Sequence, residues 1–144
     1  MCWNKIKQWF IRKPRQILAI DDNPIDQRVL IEAIRQTGCL PLVATTGAEG
    51  LAMARAHRPD VIILDVYLPR KEGFDIGRQI RGDALLKDVS LMYFTVASSP
   101  ESIIEGLKHG DLYVSKPFQL DDLVKAIRAM LARRQERVGM MPTH

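Results

Sequence analysis

Cysteine is scarce in this chain: Cys2 and Cys39 are the only two among 144 residues. Two thiols offer neither a disulfide framework nor a zinc-binding pattern, and they suit a reducing compartment, so a cytoplasmic protein is expected. Long hydrophobic runs are missing too, and none approaches the ~20 residues that span a bilayer. The opening segment, Met1 to Gln16, holds no apolar stretch followed by a small-residue cleavage site, so secretion is not expected. Internal repeats and low-complexity linkers are also absent. What remains is one domain, long enough to bury a core.

Excess charge of one sign is lacking as well, once its location is considered. The formal net charge is +4, but Lys5, Lys7, Arg12, Lys13 and Arg15 crowd the first 16 residues without one acid. Setting those five aside leaves 16 basic residues against 17 acidic ones. The basicity belongs to an arm, and the domain itself gives no electrostatic case for nucleic acid.

Five short apolar runs alternate with helical patterns. The runs predict strands near 17–21, 40–44, 60–65, 90–95 and 112–115. Continuous rather than alternating apolarity suits parallel strands covered on both faces. Pro41 in the second run lacks a ladder N–H and predicts an edge strand. The first helix should start with Asn23 as cap, Pro24 at its first position and Asp26 in its first turn, and should end at Gly38. Further helices are expected over about 47–57, from near Glu72 to about Gly82, from Pro100 to Gly110, and over about 120–137. This order predicts an α/β fold, a (βα)5 doubly wound parallel sheet with right-handed crossovers. Ligands of such sheets sit beyond the carboxyl ends of the strands. Asp21, Asp22, Asp65, Thr95 and Lys116 all fall there. Three carboxylates and one ammonium at neighbouring strand ends suit a hard divalent cation and a phosphoryl group.

These residues also resemble the receiver domain of bacterial two-component response regulators, over about Gln16 to Arg134. The likeness rests on the acidic pair Asp21-Asp22, on Asp65 followed by Pro69 and Gly73, on Thr95, and on Lys116-Pro117-Phe118 with Tyr113 three residues before the lysine. The separations from Asp22 to Asp65 to Thr95 to Lys116 are 43, 30 and 21 residues. Singly these are weak: Asp21-Asp22 reads as helix capping, Asp65 as a loop acid and Lys116 as a surface lysine. Together and in order they are specific.

The resemblance implies a flavodoxin-like sheet of strand order 2-1-3-4-5. It implies Asp65 as phosphoacceptor from a sensor histidine kinase or a histidine phosphotransfer protein. Mg²⁺ would be held by Asp22, Asp65 and the backbone carbonyl of Tyr67, with Asp21 acting largely through water. Lys116 and Thr95 would contact the phosphoryl group, Tyr113 would rotate as Thr95 moves, and Pro69, Gly73 and Pro117 would shape the loops. The altered surface would be the face of the fourth helix, fifth strand and fifth helix, met by an unknown protein target. Such a protein is an acceptor that at most dephosphorylates itself, not an enzyme turning over a separate substrate. Two positions depart from the common pattern, Val96 after the switch threonine and Tyr67 two residues after the acceptor. Both should flank the phosphoryl group and shield it from water.

Two competing classes fit less well. An aspartyl phosphatase would carry a second acid two residues after its nucleophile, where Tyr67 stands. A flavodoxin-like cofactor binder would need a phosphate-cradling loop after the first strand. Here that loop is Asp21-Asp22-Asn23-Pro24.

The domain is expected over residues 16–138, with a basic arm at 1–15 and a flexible tail at 139–144. The few residues after the last helix predict no DNA-binding module, hence a stand-alone regulator or a relay intermediate. A phosphorylation-independent interaction module is the alternative. In the arm, Trp3, Ile6, Trp9 and Phe10 have rough helical spacing among basic residues. That pattern fits packing on this domain, a second copy in a homodimer, a partner, or a membrane surface.

Overall fold

The computed structural model describes residues 14–68 and 72–139. The arm over 1–13, Pro69 and the tail from 140 lie outside the described residues. The elements alternate strictly: β1 (Gln16–Ile20), α1 (Pro24–Gln36), β2 (Leu40–Ala44), α2 (Gly47–His57), β3 (Val61–Leu64), α3 (Gly73–Gly82), β4 (Ser90–Thr95), α4 (Pro100–Leu107), β5 (Leu112–Ser115) and α5 (Leu120–Gly139). The strands form one sheet in the order β2-β1-β3-β4-β5. Every neighbouring pair is parallel.

Successive side chains of a strand point to opposite faces, and the apolar runs therefore feed two cores. Ile17 and Ala19 of β1 join Ile63, Met92 and Phe94 under α1 and α5, where Leu30, Ile34, Leu123 and Ile127 meet them. Leu18 and Ile20 face the other way, with Ile62, Leu64 and Tyr93, against Leu51 and Ala54 of α2 and Ile76 and Ile80 of α3. β2 lies at the sheet edge, where the missing N–H of Pro41 costs no ladder bond. Cys39 is buried just before it.

The helix ends follow local chemistry. The Asn23 side chain accepts from the Ile25 and Asp26 amides at 2.8 and 3.1 Å, and Gly38 takes φ +80° after α1. Thr46 caps α2 by accepting from the Glu49 amide at 3.1 Å. α2 ends on Arg58, a non-glycine residue at φ 47°. α4 stops at Leu107, three residues short of the expected Gly110. The intervening residues fold into a tight turn, with the Gly110 amide on the Gly106 carbonyl at 2.7 Å.

Among the described residues Tyr93 is the largest fully buried side chain. Its ring meets Phe74 edge-on at 5.4 Å and Tyr113 at 5.9 Å, and its hydroxyl has no hydrogen-bond partner among the described residues. Burial pushes its pKa up to about 12. A Cβ on Gly77 would collide with that hydroxyl. Gly77→Ala should therefore cost about 1–3 kcal/mol through overpacking, although alanine is the better helix former by about 1 kcal/mol. The urea midpoint checks this, and an unchanged or raised midpoint would show that the ring has room.

Candidate functional site

The carboxyl ends of β1, β3, β4 and β5 meet at one edge of the sheet. The ladder carries the chain into the site: the Asp21 amide donates to Ala44 O and the Asp65 amide to Ile20 O, each at 3.1 Å, and the Lys116 amide to Thr95 O at 2.8 Å. Asp21, Asp22 and Asp65 each place a carboxylate oxygen within 4.8 Å of the others. Asp21 and Asp65 are buried, at 1% and 6% exposure, and Asp22 is exposed.

Backbone N–H groups fix the two buried acids. Asp21 Oδ1 accepts from the Asn23 amide at 2.9 Å, and Asp65 Oδ1 from the Tyr67 amide at 3.0 Å. Their Oδ2 atoms turn to Lys116. The Lys116 ammonium donates to Asp26 Oδ2 at 2.7 Å, Asp21 Oδ2 at 2.9 Å and Asp65 Oδ2 at 3.2 Å. It also lies 5.1 Å from the centroid of the Phe94 ring. Burial works against the ammonium. The hydrogen bonds to Asp26 and Asp21 and the charges of Asp65 and Asp21 outweigh that, and its pKa stands above the ordinary lysine value. For Asp21 burial prevails over the Asn23 amide and Lys116, and its pKa is raised.

The remaining residues named from the sequence surround this centre. Thr95 is fully buried, and its hydroxyl accepts from the Ala97 amide at 3.3 Å. The Tyr113 hydroxyl donates to the Ala97 carbonyl at 2.6 Å, so Ala97 links the two side chains. Burial, then the charges of Tyr67 and Asp65, push Tyr113 up to about 12. Tyr67 and Val96 are exposed at 43% and 58%. The peptide bond between Lys116 and Pro117 is cis. A Cβ on Gly73 would strike the Asp65 carbonyl oxygen and the Val66 Cα, so only glycine lets α3 start this close to the β3 end.

Asp26 and Phe94 escaped the sequence reading. Asp26 was visible only as a first-turn acid, although its place four residues after Asp22 keeps it beside the same edge. The donor set consists of carboxylate oxygens with no sulfur or imidazole, which is the chemistry of a hard cation such as Mg²⁺. The residues fit that ion.

A parallel 2-1-3-4-5 sheet with an acidic cluster and a lysine at the strand ends defines an α/β domain of the flavodoxin-like kind. A sequence model of the response regulator receiver domain matches residues 17–128, and the chain belongs to that family. A curated relative, the probable transcriptional regulatory protein TcrX of Mycobacterium tuberculosis, is 34% identical over 122 residues, which cover 84% of this chain and 51% of TcrX. The chain spans about half the length of the curated relatives it matches. Among solved structures, the chemotaxis protein CheY4 of Vibrio cholerae aligns with TM-score 0.76 and 28% identity, covering 82% of this chain and 99% of that one. A CheY-like receiver domain from Methanospirillum hungatei shares the fold with TM-score 0.80 at 23% identity, covering 87% and 99%. The chain is thus a receiver domain of two-component phosphorelay signalling. Among the described residues no helix is long and apolar enough to cross a membrane.

Proposed function

We propose that Asp65 accepts a phosphoryl group from a phosphohistidine, carried by a sensor histidine kinase or a histidine phosphotransfer protein. The observation that carries this reading is the meeting of Asp21, Asp22 and Asp65 with the Lys116 ammonium at one sheet edge. A carboxylate oxygen of Asp65 attacks phosphorus, the P–N bond breaks, and the imidazole leaves with the electron pair. Such a transfer is chiefly positioning and charge neutralisation. Lys116 neutralises the incoming oxygens, and the Thr95 hydroxyl supplies a donor once it turns from Ala97. Asp22 and Asp65, with the Tyr67 carbonyl, are the residues that would hold Mg²⁺, and Asp21 supports them. The ion supplies positive charge at the transferring group.

The response follows from the same contacts. An acyl phosphate adds a strong anion where one carboxylate stood. Thr95 moving toward it alters the Ala97 loop, which also holds the Tyr113 hydroxyl. Tyr113 then re-sorts the surface of α4, β5 and α5, where Ile104 and Leu107 are exposed apolar side chains for a protein target. Phosphorylation shifts this equilibrium only by its differential interaction with the two states. The domain itself, over 16–138, suffices for this cycle, whether it ends at a target or passes the group on.

Intact-protein mass spectrometry after incubation with acetyl phosphate and Mg²⁺ tests the reading. One phosphoryl addition, abolished by EDTA, is expected. No addition from acetyl phosphate or from a kinase would mark an interaction module that works without phosphorylation.

Val96 and Tyr67 are exposed, and as residues flanking the phosphoryl group they would keep in-line water from it. Val96→Ala and Tyr67→Asn should each shorten the lifetime of the phosphorylated form several-fold, followed as loss of the added mass with time. Unchanged lifetimes would remove the shielding role.

A further inference from the structure

Lys116 has three N–H donors and no acceptor. Three carboxylates take them, at 2.7 Å from Asp26, 2.9 Å from Asp21 and 3.2 Å from Asp65. These partners differ in what else they do. Asp21 and Asp65 belong to the oxygen cluster suited to a cation, and Asp26 does not. A divalent ion in that cluster would compete for Asp65 directly and for Asp21 through its water shell, and would repel the ammonium beside them. Asp26 alone is left free of that competition, on the first turn of α1, with its side chain 28% exposed and Lys116 at 9%.

We infer that Asp26 is a positioning residue, the anchor that keeps the Lys116 ammonium in the site while a divalent cation claims Asp21 and Asp65. The shortest of the three bonds is the one the cation does not contest. Held by Asp26 and resting on the face of Phe94, the ammonium keeps an N–H directed to the Asp65 Oδ2 side, where a phosphoryl oxygen would arrive. Asp26 touches neither the acceptor nor the reacting atoms and acts through Lys116. The inference rests on the metal half of the reading above, and its test needs no phosphoryl transfer.

The test uses the full chain with Asp26→Ala and Asp26→Glu variants. The Lys116 ammonium is observed by side-chain ¹H–¹⁵N NMR, assigned by its loss in Lys116→Arg, with and without saturating Mg²⁺. Backbone amides of Asp22 and Tyr67 report ion binding, and the amide spectrum as a whole reports folding. In wild type the ammonium signal, protected from exchange, should persist when Mg²⁺ shifts those amides. In Asp26→Ala it should vanish into solvent exchange on Mg²⁺ addition, and Asp26→Glu should restore it. Amide shifts with an ammonium signal that survives in Asp26→Ala, or that disappears in wild type, would overturn the anchor alone. Absence of the amide shifts in wild type would overturn the metal reading and the anchor together.

Discussion

Asp65→Asn is expected to abolish phosphoryl acceptance while leaving the fold in place. An amide has no carboxylate oxygen to attack phosphorus, so the loss should be complete rather than partial. Shape is retained, but one contact is not. Asp65 Oδ1 accepts from the Tyr67 amide and Oδ2 from Lys116. An asparagine has a single acceptor, so whichever way its amide lies, one donor loses its partner. Against this stands the removal of a negative charge that disfavours ionisation of Asp21. The two effects oppose, and stability should stay within about 1 kcal/mol of wild type. Intact mass after acetyl phosphate and the urea midpoint check the two halves. Undiminished phosphoryl addition in Asp65→Asn would move the acceptor to another residue.

Lys116→Met should produce the larger change in stability. It removes the ammonium that Asp21, Asp26 and Asp65 share and, among the described residues, leaves Asp21 buried without a counter-charge. Breaking a buried pair in this way costs about 3–5 kcal/mol. The deficit should depend on pH, and the sign follows from Asp21. Burial already holds its pKa above the carboxylate value of 3.8, and losing Lys116 removes two influences that lower it. Between the unfolded and folded values the folded state binds more protons, so stability rises as pH falls through that window. The difference from wild type should therefore be greatest at neutral pH and narrow as acidification protonates Asp21, whose pKa lies above the ordinary carboxylate value. The raised pKa of Lys116 means that its contribution in wild type is fully present at neutral pH. Saturating Mg²⁺ should also recover much of the loss by supplying the missing positive charge. Urea midpoints at two pH values, with and without Mg²⁺, measure all of this. A deficit independent of both would mean that Lys116 matters through packing of its stem instead.

The architecture was legible because each of its determinants is local. Continuous apolar runs such as Val61–Leu64 mark doubly covered strands, Pro41 marks an edge, and Asn23-Pro24 marks a helix start. The candidate site was legible in outline because strand ends in a parallel sheet converge by topology alone. What escaped depends on where side chains meet. The claim of Asp26 on Lys116 spans 90 residues, and no spacing rule foretells which acid an ammonium will choose. Arg81 is another case. Its guanidinium donates to the carbonyls of His109, Lys87 and Val89 and to Asp111, tying α3 to the segments that enter β4 and β5. From the sequence it is only the basic residue near the end of a helix. The early stop of α4 and the left-handed Arg58 likewise follow from how the chain is received on the far side of each turn.

The bonds from Lys116 to Asp21 and Asp26 join positions 95 and 90 residues apart. A polypeptide growing from its amino end thus exposes its acids long before the residue that balances them exists. Closing so long a loop is among the slower acts of folding. An unfinished or partly unravelled copy holds these carboxylates without Lys116 in place among them. Under the proposed phosphoryl transfer, competence to receive a message is consequently a certificate of completion.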